Sequence, residues 1–235
     1  MIRFYAPEIS RDPVLPESDS QHCVKVLRLQ PGAQLEVVDG RGGLYRCELL
    51  DAHRKHALVK VLEREELPLP WSYELQMVVA PTKHLDRMEW LTEKLTEIGV
   101  NRLTPALCAR SERKELKTER LEKIAVSAMK QSLKAVLPRI DEMTPLKRII
   151  AECTAAQRFI CYCDAATPRR DMARIVAPQT DTCILIGPEG DFSPEEVAAA
   201  LEAGFVPVTL GNNRLRTETA ALVAATTVHV INQIS

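Results

Sequence analysis

Two apolar runs, each followed by a glycine turn and the start of a helix, lie in residues 182–220, TCILIGPEGDFSPEEVAAALEAGFVPVTLGNNRLRTETA. The first run, residues 183–186, leads into the Gly-Pro-Glu-Gly turn at 187–190, and the second, residues 205–210, leads into Gly211. Ligands of α/β sheets bind where the carboxyl ends of strands meet such loops. We therefore expect these two loops to form the functional site.

The helix between the two runs carries start and stop signals. Ser193 is a favourable N-cap, Pro194 takes the first helical position, Glu196 completes a capping box, and Gly204 closes the helix. The last helix, predicted over residues 217–232, is almost wholly apolar at its centre. Such a helix is buried in the core or against a second subunit.

Strands and helices alternate from residue 73 onward, which is typical of a parallel sheet with helices on both faces. The predicted strands cover residues 73–80, 102–107, 158–163, 183–186 and 205–210. The predicted helices cover residues 85–98, 118–134, 168–175, 194–204 and 217–232.

Residues 1–66 are predicted to be all-β. Five short apolar runs are separated by turn signals, and they read FYAP, VKVLRL, AQLEVVDG, GLYRCELLDA and HALVKVLERE. Closing so small a sheet into a barrel would remove its exposed edges. The Leu-Pro-Leu-Pro sequence at 67–70 predicts a stiff linker, so we place one domain at 1–68 and a second at 71–235.

The composition, 46% hydrophobic and 27% charged, is typical of a soluble protein with a substantial core. No apolar run approaches the roughly 20 residues that cross a bilayer, and residues 1–10 contain no apolar signal region. The seven cysteines lie mostly in apolar runs, which indicates small buried side chains in a reducing cytoplasm rather than a disulfide framework. Cys161 and Cys163 have no second Cys/His pair at a usable spacing, so no metal site is expected.

The near-neutral net charge of −1 is unevenly distributed. Residues 81–148 carry fifteen Lys and Arg against ten Asp and Glu, whereas residues 149–235 carry six against ten. A basic middle segment suits a polyanionic partner. A solvated helical surface explains the same count, and charge alone does not separate the two.

The first loop, GPEGDF at 187–192, has the position of a nucleotide-binding loop but a different composition. It matches neither Gly-x-Gly-x-x-Gly nor a P-loop, and its two acidic residues oppose phosphate. It suits a neutral or cationic ligand held by backbone groups, with glycine permitting close approach. An ordinary strand-to-helix turn remains the alternative.

The second loop alternates Arg214, Arg216 and Glu218 at the start of the apolar helix. Thr217 as N-cap and Glu218 against the helix dipole explain part of this pattern. Positive charge at a helix N-terminus is unfavourable, so the two arginines indicate contact with an anion or stabilisation of developing negative charge.

The segments LIGPEGDFSPEEV and LGNNRLRTETAAL resemble the two C-terminal signatures of the RsmE-type family. This family comprises small-subunit ribosomal RNA methyltransferases of the knotted SPOUT class, which methylate N3 of a uridine. Similar elements occur at 81–88 (PTKHLDRM), 93–100 (EKLTEIGV), 110–113 (RSER) and 22–29 (HCVKVLRL), so the resemblance covers nearly the whole chain in order. The chain departs from the family pattern at His84, at Asp191, where a glycine is usual, and at Asn212-Asn213.

The resemblance implies an α/β fold with a C-terminal parallel-sheet SPOUT methyltransferase domain tied in a deep trefoil knot, and an N-terminal PUA-like β-barrel that binds RNA. It implies a homodimer through the knotted domain, a cytoplasmic location, and ribosomal RNA or the small ribosomal subunit as partner. Two other functions stay open, a non-catalytic RNA-binding or ribosome-assembly protein and a related transfer RNA methyltransferase.

The cofactor implied is S-adenosyl-L-methionine, held by Gly187, Pro188, Glu189, Gly190, Leu210, Gly211, Leu215, Arg216 and Thr217. For catalysis we expect Arg216 to stabilise the developing uridine anion and Glu189 to orient cofactor or base. Glu218 is either a general base or a structural residue at the helix start. Candidate contacts to RNA phosphates are Lys25, Arg28, Arg87, Arg110 and Arg113.

Overall fold

The computed structural model describes residues 2–163 and 168–234. The chain divides into two compact units, of which the first comprises Met1–Pro70 and Val126–Leu137 and the second comprises Trp71–Ala125 and Pro138–Ser235. Each unit has its own sheet and its own buried apolar cluster.

The first unit is built on a sheet of four strands, paired in chain order. The strands are β1 (Arg3–Tyr5), β2 (Gln34–Val38), β3 (Gly43–Asp51) and β4 (Leu58–Glu66). β1 runs parallel to β2, and the remaining pairs are antiparallel. A tight turn joins β2 to β3, and Asp39 closes it because its Oδ1 accepts the N–H groups of Arg41 and Gly43 at 2.7 and 2.9 Å.

The prediction that residues 1–66 are all-β is wrong between β1 and β2. Helix α1 covers Glu17–Gln21, and one π-helical turn, His22–Val26, continues it. The run VKVLRL is therefore not a strand. Asp19 on α1 is buried and accepts from the backbone N–H of Tyr5 at 2.7 Å and from Lys130 Nζ at 2.6 Å, both distant in sequence. Tertiary contacts of this kind override a short apolar run, whose period does not distinguish helix from strand.

The second unit contains the predicted parallel sheet, and all eight of its strands within the described residues pair in parallel. In spatial order these are β10 (Arg170–Asp171), β12 (Val206–Thr209), β9 (Gln157–Cys161), β11 (Thr182–Ile186), β5 (Leu75–Val79), β6 (Arg102–Leu107) and β7 (Arg139–Ile140), with β8 (Thr144–Pro145) beside β6. Every residue of β11 is buried, as expected for a central strand covered on both faces.

Helices cover both faces of this sheet, as predicted. On one face α2 (Leu85–Ile98) packs against α6 (Thr217–Ile234), and both contribute to one apolar cluster. On the other face α4 (Leu146–Glu152) packs against α5 (Pro194–Glu202) in a second cluster. The remaining helix, α3 (Thr118–Gln131), begins in the second unit and ends in the first.

Predicted and observed elements agree best where local signals are strong. The α2 and β6 bounds are the predicted ones, and the Ser193 capping box on α5 is present in both of its hydrogen bonds. The helix predicted at 168–175 is wrong, because residues 170–174 form β10 and a single 3-10 turn, Met172–Arg174. The short helix α4 was not predicted.

The cysteines in the described ranges are free thiols, and four of them, Cys23, Cys47, Cys108 and Cys183, are buried. Cys163 was expected to be buried in a strand, but it is exposed because β9 ends two residues earlier. Among the helices of the described ranges, none combines the length and apolar character needed to cross a membrane.

Candidate functional site

A cavity of about 380 Å³ lies at the carboxyl ends of β9, β11 and β12. Its walls are the loops that follow these strands, the first turn of α6, and Arg87 from α2. Eight of the nine predicted cofactor residues line it, namely Gly187, Pro188, Glu189, Leu210, Gly211, Leu215, Arg216 and Thr217. The two loops predicted to form the site are therefore brought together, while the role of each residue stays a prediction.

Gly190 is the predicted cofactor residue that does not line the cavity. Its carbonyl oxygen accepts a hydrogen bond from Arg110 Nη1 at 3.1 Å, and the same nitrogen donates to the carbonyl of Phe192 at 3.1 Å. Arg110 was predicted to contact RNA phosphate. Its guanidinium holds the first loop in place through at least one nitrogen, and the RNA contact stays a prediction.

Asp191 shapes the first loop in the manner of the glycine it replaces. Its φ of 61° lies in the left-handed region, which aspartate tolerates better than most residues. Its backbone N–H donates to the carbonyl of Pro188 at 2.9 Å, and its carboxylate accepts the N–H groups of Cys163 at 2.8 Å and Phe192 at 2.9 Å. The added carboxylate is thus used to tie the loop to the end of β9.

The first loop is also fastened to the start of α5. Ser193 Oγ accepts the N–H of Glu196, and Glu196 Oε2 accepts the N–H of Ser193 at 2.8 Å. The other carboxylate oxygen of Glu196 accepts the N–H of Ala109 at 2.7 Å, which joins α5 to the segment after β6. One glutamate therefore caps the helix and anchors the loop.

Thr217 connects the two loops. We expected its side chain to cap α6, but its hydroxyl donates across the site to the carbonyl of Gly187 at 3.1 Å. In the second loop the Thr209 hydroxyl donates to the carbonyl of Gly211 at 2.8 Å. Gly211 has a φ of 118°, a conformation that disfavours any residue with a Cβ.

Glu218 is the buried acid of the cavity. It is 7% exposed, it lies in the first turn of α6, and its Oε2 has no hydrogen-bond partner among the described residues. Its Oε1 is 3.7 Å from Arg87 Nε. A buried carboxylate oxygen without a partner is costly unless a donor or a cation meets it. Glu218 therefore offers the cavity one anionic acceptor, whether or not it also stabilises the helix start.

Arg87 and Arg169 both line the cavity. Arg87 was among the predicted RNA contacts, whereas Arg169 was not among the predicted site residues. Arg87 was predicted to contact RNA phosphate, but it lies in the cavity beside Glu218. Arg169 lines the cavity and donates to the carbonyl of Tyr162 at 2.7 Å. The signal available in the sequence was the basic pair Arg169-Arg170, of which Arg169 directly precedes β10. Arg214 and Arg216 are exposed at the same cavity, so guanidinium groups dominate its charge.

The other predicted RNA contacts fall into two groups. Lys25 and Arg28 are exposed in the first unit, and Arg28 has a left-handed φ of 54°. Arg113 is engaged within the chain, where it donates to the carbonyls of Thr82 at 3.2 Å and Lys83 at 2.7 Å. The same segment receives Glu189, because Glu189 Oε1 accepts the N–H of Lys83 at 3.0 Å.

The cavity combines acidic and basic side chains, because Glu189, Asp191 and Glu218 line it together with four arginines. Within the described part of the chain no cluster of three or more His, Cys, Asp and Glu could hold a metal ion. Cys161 lines the cavity, but burial raises the pKa of its thiol to about 12, so the thiol stays protonated near neutral pH. The unpartnered Glu218 oxygen and the carbonyls of the two loops are acceptors for a cationic or hydrogen-bond-donating ligand.

Comparison with known proteins identifies the family. The RNA methyltransferase domain family matches residues 69–229, and the RNA methyltransferase PUA domain family matches residues 15–62. The ribosomal RNA small subunit methyltransferase E of Mycobacterium bovis is 33% identical over 96% of this chain and 88% of its own. The chain belongs to the ribosomal RNA small subunit methyltransferase E family.

Solved structures similar to this methyltransferase E family member span the whole chain. A probable rRNA methyltransferase from Porphyromonas gingivalis is 45% identical, with a TM-score of 0.95 over 100% of this chain and 99% of its own. A ribosomal RNA small subunit methyltransferase E from Neisseria gonorrhoeae, solved bound to S-adenosyl methionine, is 26% identical, with a TM-score of 0.82 over 98% of both chains. The fold of this chain is therefore shared with these two solved proteins.

Proposed function

We propose that the chain is an S-adenosyl-L-methionine-dependent methyltransferase that methylates N3 of a uridine in small-subunit ribosomal RNA. The observation that carries the proposal is the cavity at the ends of β9, β11 and β12, which gathers the predicted loop residues in a chain of this family. The similar Neisseria gonorrhoeae protein is bound to S-adenosyl methionine, which supports the choice of cofactor.

The residues of the cavity fit this cofactor. Its volume of about 380 Å³ lies in the range of small-molecule sites. The buried Glu218 carboxylate, with an oxygen that lacks a partner within the described residues, suits a cation such as a sulfonium. Gly187, Pro188, Glu189 and the backbone near Gly211 would surround the ligand, and Leu215 would supply an apolar contact. When bound, S-adenosyl-L-methionine supplies an electrophilic methyl group on a positively charged sulfur.

The chain's own residues would help N3 of the uridine to lose its proton and would stabilise the resulting negative charge. N3 of uridine carries a proton that must leave before or during transfer, and the resulting negative charge spreads onto the two neighbouring carbonyl oxygens. Arg216, exposed at the cavity, would stabilise that charge with a permanently cationic guanidinium. Glu218 has a buried oxygen available to accept the proton. Arg87 would position Glu218, and Glu189, fixed by the N–H of Lys83, would orient the ligands.

We further propose the finer features that the resemblance implies. The second unit would be tied in a deep trefoil knot and would form a homodimer. The exposed Val230 and Ile234 at the end of α6, 44% and 75% accessible, support an apolar interface there. Light scattering of the purified protein measures the dimer, and a monomer at micromolar concentration would count against it.

We also propose a PUA-like barrel domain at residues 1–68, which binds RNA through Lys25 and Arg28, and a methyltransferase domain at 71–235. The first compact unit additionally contains Val126–Leu137. The match of the PUA domain family to residues 15–62 supports this division. Arg110 and Arg113 would contact phosphate only with the nitrogens that their backbone contacts leave available. Because the substrate would be ribosomal RNA, the protein would act in the cytoplasm.

The decisive experiment is methyl transfer to small ribosomal subunits and to free ribosomal RNA, followed by digestion and mass spectrometry of nucleosides. The wild-type protein should produce 3-methyluridine. Arg216→Ala should lower single-turnover transfer by about 10²–10³-fold, as for the loss of one charge-stabilising group, while circular dichroism shows an unchanged fold. Near-normal transfer by Arg216→Ala would remove its assigned role.

The same experiment separates the other functions. A wild-type protein that is stabilised by S-adenosylmethionine but transfers no methyl group would be a non-catalytic RNA-binding or assembly protein. Transfer to purified transfer RNA in place of ribosomal RNA would assign it to a different substrate class.

A further inference from the structure

A second groove, of about 810 Å³, adjoins the cavity and shares part of its wall. The shared wall includes Cys163, Arg169, Asp191, Gly211 and Arg214. The opposite wall is the outer surface of α5, and we call this feature the α5 groove. A chain lying in the α5 groove would therefore pass directly beside the cavity.

The charge of the α5 groove is positive. Arg110, Arg169 and Arg214 line it, and Asp191 is the acidic residue among its described lining residues. The Asp191 carboxylate already accepts two backbone N–H groups, from Cys163 and Phe192, so part of its capacity is used. Arg169 and Arg214 form no ion pair with any described residue. Their positive charges are consequently available to an anionic ligand.

The other wall of the α5 groove is apolar. Pro194, Val197, Ala198 and Leu201 project from α5 into it, and Leu201 is 38% exposed. An apolar surface facing guanidinium groups matches single-stranded RNA, whose bases pack on apolar side chains while its phosphates meet positive charge. Single-stranded segments are also the form in which proteins read RNA bases most readily.

We propose that the α5 groove holds the RNA nucleotides that flank the target uridine, with Arg169 and Arg214 contacting their phosphates and Leu201 contacting a base. The inference rests on the proposed function, because continuity with the cavity is what selects RNA as the occupant. The target base would leave the strand in the α5 groove and enter the cavity past the wall formed by Asp191 and Gly211.

Three variants test the groove. Arg214→Glu and Arg169→Glu reverse charge, and Leu201→Glu introduces charge at a residue that lines the α5 groove but not the cavity. Arg170→Glu is the matched control, since this exposed neighbour of Arg169 on β10 lines neither space. Each protein is titrated with small ribosomal subunits and with a fluorescent single-stranded RNA carrying a central uridine, at several salt concentrations, and separately with S-adenosylmethionine by calorimetry.

The three groove variants should bind RNA at least tenfold more weakly than the wild type, and Arg170→Glu should stay within about twofold. A plot of the logarithm of RNA affinity against the logarithm of salt concentration has a negative slope. Each lost phosphate contact should make this slope shallower by about 0.7, the value for single strands. S-adenosylmethionine affinity should stay within about threefold in Leu201→Glu and Arg170→Glu, because neither residue lines the cavity. Loss of S-adenosylmethionine binding in the Arg214 and Arg169 variants, with RNA binding retained, would overturn the inference. Both residues would then act on the cofactor and not on RNA.

The outcome for the groove is distinguishable from the outcome for the proposed function. If the wild type binds S-adenosylmethionine and transfers its methyl group, yet the groove variants match Arg170→Glu in RNA affinity and in transfer at limiting RNA, the groove inference alone fails. If the wild type transfers no methyl group to any RNA, the proposed function fails, and with it the reason for choosing RNA as the occupant.

Discussion

Replacing Gly211 by alanine tests whether the second loop shapes the cofactor cavity. Gly211 lines the cavity, has a φ of 118°, and has no heavy atom within 4 Å of the position that a Cβ would take. The substitution therefore adds no clash. Its effect comes from backbone preference alone, since alanine rarely adopts such a φ.

The expected cost is about 1–3 kcal/mol, the range for a non-glycine residue held in a sparsely populated backbone region. This free energy can appear as a loss of stability or as a loss of cofactor affinity. If the hydrogen bonds between Thr209 and Gly211 hold the loop, the cost lowers the stability of the free protein. If the loop relaxes, the ligand must restore it on binding, and S-adenosylmethionine should bind about 5- to 150-fold more weakly.

Calorimetric titration with S-adenosylmethionine measures the second response, and chemical unfolding measures the first. Gly204→Ala is the matched control, because Gly204 has a φ of 83°, is equally open, belongs to the same unit, and does not line the cavity. It should lose stability without losing affinity. If Gly211→Ala neither weakens cofactor binding nor lowers the free energy of unfolding, the φ of Gly211 does not constrain the second loop.

Three further predictions concern charge, a thiol and a helix cap. Glu218→Gln should weaken binding of S-adenosylmethionine by about tenfold, because a charge-assisted contact becomes neutral. Binding of S-adenosylhomocysteine, which lacks the sulfonium charge, should weaken less, and equal losses in calorimetry would contradict an electrostatic role. A hydrogen bond from Cys183 lowers the pKa of the Cys153 thiol, so alkylation of Cys153 should level off at a lower pH than alkylation of an ordinary cysteine. Cys183→Ala should shift this profile to higher pH in mass spectrometry, and an unmoved profile would refute the cause. Glu196→Ala should lower the free energy of unfolding by about 1–2 kcal/mol, because two backbone N–H groups lose their acceptor. Urea unfolding measures this loss, and Glu195→Ala, at an exposed neighbour, is the control. Equal losses in the two variants would contradict a capping role for Glu196.

Local signals predicted the elements that they fully specify. The helix predicted over residues 85–98 has the bounds of α2, and the Ser193–Glu196 pair marked the start of α5. These signals depend on residues within one or two turns of each other, so a single sequence contains them. The alternation of strands and helices then predicted the parallel sheet.

Elements stabilised by distant contacts escaped prediction. α1 and its π-helical turn contain a buried Asp19 whose partners, Tyr5 and Lys130, lie far away along the chain. α4 is only seven residues long, too short for a clear period. In such segments propensity is weak, and the interactions that choose the conformation are absent from the local sequence.

The residue types at the site were evident from its two loops, whereas their partners were not. Arg87, Arg110 and Arg113 lie in segments that resemble family motifs and were candidates for contact with RNA phosphate. In the folded chain Arg87 lies beside Glu218, and the other two donate to backbone carbonyls. A sequence shows that a long cationic side chain is present, but its reach allows many partners.

For this protein the linear order of residues was enough to predict a parallel α/β sheet, to bring two glycine loops to one edge, and to recognise the family. Those features follow from periodicity and motif spacing, which are properties of neighbouring residues. The fold alone established that Asp191 takes a glycine-like conformation, that Glu218 is buried with an oxygen unpartnered among the described residues, and that Arg169 borders the cavity. Burial and hydrogen-bond satisfaction are set by groups that meet only when separate strands and helices pack together.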